Sequence, residues 1–202
     1  MNTIRFFAFA ICLFCWPALL GAQSWERWYP ELAGNANSDA VHSLPLADGR
    51  TLSLIRQDFI PYDYQNFYLA ELGTDGSVEQ LYPFLFPGID RAVDLISTAD
   101  GGYLILYTIT QSSSQVRPAL LKLDAQFQQE WRRELTGTGS SYATSVLELA
   151  NGGYAVLAKF QTAPPESRQQ IFLTDAGGSL LSEMQWGNTL SSPSDLVKLP
   201  SG

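Results

Sequence analysis

Tyr103–Ile109 and Tyr154–Phe160 are almost continuously apolar, and each follows a turn signal, Asp100-Gly101-Gly102 or Asn151-Gly152-Gly153. A strand with one wet face alternates apolar and polar side chains, so a short unbroken run predicts a strand covered on both faces. Ahead of the second turn lies a shorter apolar-rich stretch, Thr144–Ala150. After the strand come a polar loop (Gln161–Ser167), a third strand around Arg168–Leu173, the turn Asp175-Ala176-Gly177-Gly178 and a fourth strand, Ser179–Trp186. Asp-Gly and Asn-Gly tolerate left-handed backbone, which predicts type I′ hairpins at the glycine turns. Four strands joined in sequence within ~50 residues predict one antiparallel meander.

The same pattern recurs along the chain. Ala40–Gly49, Ala92–Gly101, Ala143–Gly152 and Pro193–Gly202 align without a gap, their starts 52, 51 and 50 residues apart. A second anchor, Thr74-Asp75-Gly76, Leu123-Asp124-Ala125 and Thr174-Asp175-Ala176, repeats at 49 and 51 residues. Two anchors drifting together at one period mark a structural repeat.

A lone meander cannot bury two apolar faces. With ~400 Å² per face, leaving one wet forfeits on the order of 10 kcal/mol at ~25 cal/mol/Å². Stacking copies radially removes that cost and predicts an all-β fold, a β-propeller of four-stranded antiparallel blades. A β-sandwich could use the same strands but has no reason to repeat its turns every ~50 residues. The repeats divide residues 23–202 into blades at about 38–86, 90–135 and 141–187, with the start of a fourth at 191–202. Ser24–Leu32, with Trp25 and Trp28, matches the stretch Gln129–Leu135 and reads as an outer strand without its own blade. Closure takes four to eight blades and about three are expected here, so the chain reads as a fragment, an incomplete propeller.

Residues 1–22 follow another logic. Arg5 precedes the apolar stretch Phe6–Leu20, and Gly21-Ala22 stand before Gln23, the layout of a secretory signal peptide. The alternative is a membrane anchor, for which the run is short of ~20 apolar residues. The Leu-Gly-Ala-Gln boundary resembles the secretion signals of Gram-negative envelope and surface proteins. The expectation is export across the inner membrane, to a secreted or cell-surface site, with no membrane span after cleavage. Cys12 and Cys15 leave with this segment, which excludes disulfides, thiolate catalysis and Cys-ligated zinc from the mature chain.

Charge and residue inventory narrow the chemistry further. Lys+Arg number 12 against 20 Asp+Glu, a net charge of −8, and such a surface is repelled by nucleic acid phosphates. His42 is the sole histidine, so a multi-His metal site is excluded and a Ser-His-Asp triad has a single candidate base. Asp48, Asp75, Asp100, Asp124 and Asp175 recur at turns, where a carboxylate accepts backbone N–H bonds. The closely spaced carboxylates of a calcium loop and the Lys-bearing glycine loop of a phosphate site are both missing. No catalytic residue, metal or cofactor is expected.

Ala92-Val93 leading to Asp100-Gly101-Gly102-Tyr103, then Leu121-Lys122-Leu123-Asp124 and Trp131, resembles the Asp-Gly-Gly-Tyr repeats of secreted bacterial β-propeller proteins. The likeness spans residues 24–202 and implies a long extracellular or surface protein, with adhesive or sorting domains downstream. It names a repeat and no ligand. The first unit departs from it, with Asp48-Gly49-Arg50-Thr51 in place of the Gly-Tyr pair, so a different inner hairpin is expected there.

Two constellations are candidate ligand sites. The third column of the repeat holds His42, Asp94, Ser145 and Asp195, polar residues within apolar inner strands that could face a central channel or rim. The plain alternative is that channel positions are simply wet. The second is the aromatic-rich stretch Tyr62-Asp63-Tyr64-Gln65-Asn66-Phe67-Tyr68, where Tyr62 and Tyr64 could stack on a sugar or a partner protein. Alternating rings entering a strand also suit a core. The expected function is a non-catalytic binding or scaffold module for an extracellular protein or glycan. The alternative is the propeller part of a glycan-acting hydrolase with its active residues elsewhere.

Overall fold

The computed structural model describes residues 36–59, 64–86, 89–112, 115–137, 139–161, 167–187 and 195–197. The expected leader, the outer strand at 24–32, Tyr62 and most of the fourth repeat lie outside them. The described residues form β1 (Ala36–Pro45), β2 (Thr51–Phe59), β3 (Tyr64–Leu72), β4 (Val78–Phe84), β5 (Ile89–Ser97) and β6 (Tyr103–Ser112). They continue with β7 (Gln115–Leu123), β8 (Gln129–Glu134), β9 (Ser140–Glu148), β10 (Tyr154–Gln161), β11 (Ser167–Thr174) and β12 (Leu180–Trp186). Every consecutive group of four is an antiparallel meander, so the fold is all-β with three four-stranded sheets. A single parallel bridge, Gln65 to Ile89, joins the first sheet to the second. Among the described residues no helix is long and apolar enough to cross a membrane.

The middle sheet is covered on both faces, as its unbroken apolar run predicts. Ile105, Tyr107 and Ile109 of β6 pack with Leu52, Leu54, Phe67 and Leu69 of the first sheet. Leu104 and Leu106, on the opposite face of the same strand, pack with Val146, Tyr154, Val156 and Phe172 of the third. Successive strand side chains point to opposite faces, so one strand serves two cores. Phe67 lies in the first of these cores, fully buried, with its ring 5.5 Å from that of Tyr107. The aromatic stretch therefore contributes to packing; Tyr64 itself opens β3 opposite Phe59.

The hairpin turns correct the sequence reading. In the second unit Gly101 N–H donates to Thr98 O and Thr98 N–H to Gly102 O, with Gly101 alone at positive φ (+85°). A type I′ turn needs two left-handed residues; this is a type I turn closed by one left-handed residue and a bulge. The third unit repeats it at Leu149, Gly152 and Gly153. The second glycine answers a different demand: a Cβ on Gly102 would stand 2.3 Å from Leu123 O, and one on Gly153 2.2 Å from Thr174 O. The turn carboxylates behave as expected, Asp100 Oδ1 accepting from Gly102 N–H at 3.0 Å and Asp48 Oδ1 from Arg50 N–H at 3.1 Å.

The outer hairpins use the same turn, at Gly73–Ser77, Asp124–Gln128 and Asp175–Ser179. Equivalent residues of the outer turns are therefore 51 apart at both steps, and Asp75 sits two places later in its turn than Asp124 does. The 49-residue spacing reflected that offset. The left-handed position holds Gly76, Phe127 and Gly178, and Phe127 (φ +60°) is the sole non-glycine at positive φ among the described residues. Its ring is anchored between Tyr82 (4.6 Å) and Tyr103 (5.1 Å). Contact with two aromatic rings offsets a backbone cost of about 1–2 kcal/mol.

Against expectation the first unit keeps the same inner turn, with Leu46 N–H bonded to Arg50 O, Gly49 N–H to Leu46 O and Gly49 at φ +88°, and its departure in sequence is accommodated by charge. Arg50 stands where the other units have glycine, and it reaches Glu71 on β3 (3.1 Å) and Glu79 on β4 (3.3 Å). At the place of Glu71 the second unit has Lys122, buried and paired with Asp100 (2.9 Å) and Glu130 (3.0 Å). Hydrogen bonds from Thr98 and then Lys122 hold the Asp100 carboxyl down at about 2.

Candidate functional site

The site is built by three like irregularities. In β1, β5 and β9 the pairing slips by one residue, at Val41, Val93 and Thr144. Residues two apart on a regular strand share a face; a one-residue bulge reverses that parity. Ala92 pairs with Tyr107 and packs toward the first sheet, whereas Asp94 pairs with Leu106 and faces the third. The column residues His42, Asp94 and Ser145 are thus each turned forward, onto the first strand of the next unit.

The four predicted column residues meet in one hydrogen-bonded line. His42 Nδ1 lies 2.7 Å from Asp94 Oδ1, which also accepts from Leu95 N–H at 2.9 Å. Asp94 Oδ2 accepts from Val146 N–H at 3.0 Å and faces Ser145 Oγ at 3.4 Å. Ser145 Oγ in turn donates to Asp195 Oδ1 at 2.8 Å and accepts from Leu196 N–H at 3.4 Å. Asp94 is buried, with both oxygens engaged, while the His42 side chain is 40% exposed.

This line borders a cleft of about 430 Å³ where β1, β5 and β9 come together, with Val93 and Thr144 in its wall. In a Ser-His-Asp triad the imidazole stands on the serine hydroxyl. Ser145 instead contacts two carboxylates, and His42 is held by Asp94. The geometry is that of a polar stitch presenting an imidazole, a hydroxyl and a carboxylate to a cleft, groups that hydrogen-bond a hydroxylated or amide-bearing partner. Tyr62 lies outside the described residues.

Two features escaped the sequence reading. The bulge residues Val41, Val93 and Thr144 also line a second cleft, of about 320 Å³, together with Arg56, Arg91, Thr108 and Tyr142. Arg56 is held there by Asp39 at 2.6 Å. Between the first two sheets lies buried Asp90, with Arg132 at 3.5 Å. The Arg132 guanidinium hydrogen-bonds the Tyr107 hydroxyl and sits 4.1 Å over the Phe86 ring. Burial pushes the Asp90 carboxyl up to about 6, against the pull of Arg132. The isolated letters Asp90 and Arg132 carried no signal, because they meet only once β5 and β8 lie in one sheet.

Neither a protein-family model nor a curated protein matches the chain.

Proposed function

We propose that this chain is a non-catalytic binding and scaffold module of the cell exterior, built from β-propeller blades, which offers the cleft between its inner strands to a protein or glycan partner. The observation that carries the reading is the His42–Asp94–Ser145–Asp195 line: repeat-equivalent residues drawn from successive units onto one open cleft. Ligands on multi-unit folds bind where several units contribute side chains. The propeller arrangement is supported by three like sheets stacked in order with their first strands adjoining. Export rests on the charge and apolar pattern of residues 1–22.

The test is a glycan array and a surface-protein pull-down with the purified chain, beside His42→Ala. A retained ligand whose binding falls at least fivefold in His42→Ala, with unchanged melting temperature, is the expected result. No retained ligand leaves a structural spacer and overturns the reading. Turnover of a retained glycan overturns it in favour of a hydrolase.

A further inference from the structure

We propose that the outer face of the third sheet is the docking surface for a further repeat unit of the same kind, seated as the third unit sits on the second. The inference rests on the stacking of the described units; it requires neither ring closure nor the ligand role of the cleft.

The first observation is the receiving face itself. The second sheet accepts the third with Leu104, Leu106, Leu120 and Leu135, all buried. The residues 51 positions later are Ala155, Leu157, Ile171 and Trp186, again all apolar. On the third sheet Ala155 and Leu157 in β10 are buried, but toward the outer edge Ile171 is only half-buried and Trp186 is 44% exposed, beside Met184 at 57%. Register places Met184 opposite Ile171 and Ile171 opposite Leu157, so these side chains share one face across β10, β11 and β12.

The second observation is independent of apolar area. Val146 N–H of the third unit donates to Asp94 of the second, and Leu196 N–H donates to Ser145 of the third, the equivalent contact one repeat on. Asp195–Leu196 therefore already occupies the seat of a fourth first strand. A second copy of the chain is a poorer occupant, because its own first unit would bring His42 to the place that Asp195 holds. The occupant that fits is a unit continuing from Leu196, bearing an aromatic ring after its first turn as Tyr103 and Tyr154 do.

The experiment compares the chain as it stands with one in which residues 147–187 are copied in frame after Leu196. Val146 and Leu196 are equivalent, so the copy keeps register. Amide exchange in β11 and β12 is expected to slow at least tenfold in the longer chain. Trp186→Ser is expected to leave exchange unchanged in the chain as it stands and to restore fast exchange in the longer one. Equal protection in both chains, or an equal effect of Trp186→Ser in both, overturns the proposal. So does a concentration-dependent dimer of the original chain that protects β12. Should the longer chain not fold, hydrophobic-dye binding to the original chain decides: a threefold fall in a Met184→Ser/Trp186→Ser variant supports the exposed face, and no change overturns it. None of these readouts involves the His42 cleft, so the ligand reading stands or falls separately.

Discussion

Asp94 accepts a hydrogen bond from the backbone N–H of Val146, 3.0 Å away and 52 residues ahead in the chain. One carboxylate thereby ties the first strand of one unit to the first strand of the next. Its other oxygen is engaged by His42 and Leu95. Asp94→Ala leaves buried N–H groups without an acceptor, and the expected loss is about 2–4 kcal/mol. Ser145→Ala removes one buried hydroxyl, bonded to Asp195 and Leu196, and is expected to cost about 1 kcal/mol. Urea unfolding of the two variants gives the order; equal losses would show that Asp94 does not join the units.

Phe127 reverses the usual ranking of alanine and glycine. Either substitution loses the contacts with Tyr82 and Tyr103, but only glycine relaxes at φ +60°. Phe127→Gly is therefore expected to be more stable than Phe127→Ala by about 1 kcal/mol, although both fall below the parent. Denaturant midpoints of the three proteins check the order.

The glycines of one Asp-Gly-Gly turn should respond differently. Around Gly101 there is open space and only its left-handed backbone resists a side chain, so Gly101→Asn is expected to cost under about 1 kcal/mol. At Gly102 a Cβ meets the Leu123 carbonyl at 2.3 Å and the Lys122 ammonium at 2.5 Å. Gly102→Ala must part β6 from β7 and is expected to cost about 2–3 kcal/mol. Thermal melts of the pair measure the difference.

Asp90 predicts a pH dependence of defined sign. Its carboxyl titrates near 6 in the fold against an ordinary 3.8, chiefly because it is buried, so the folded protein holds a proton that the unfolded chain has released. Its contribution is a penalty, complete above pH 6 and relieved as pH falls toward 4. Asp90→Asn removes the titration. Relative to the parent, the variant is expected to gain on the order of 3 kcal/mol between pH 3.5 and pH 7.5. Parallel pH–stability curves for the two proteins would sink this assignment.

The period of about 51 residues, the both-face burial of β6 and the carboxylate-braced turns were all legible in the linear chain. Each follows from neighbours a few residues apart: alternation reports which faces are covered, and Asp or Asn before glycine reports a turn. The column of His42, Asp94, Ser145 and Asp195 was legible too, as equivalent positions. That they form a hydrogen-bonded line was decided only in three dimensions, because a one-residue bulge at Val41, Val93 and Thr144 sets which way each side chain points. Bulges, the left-handed Phe127 and the meeting of Asp90 with Arg132 depend on register between strands far apart in sequence. Local propensity ends at the hairpin; beyond it, the packing of whole sheets decides.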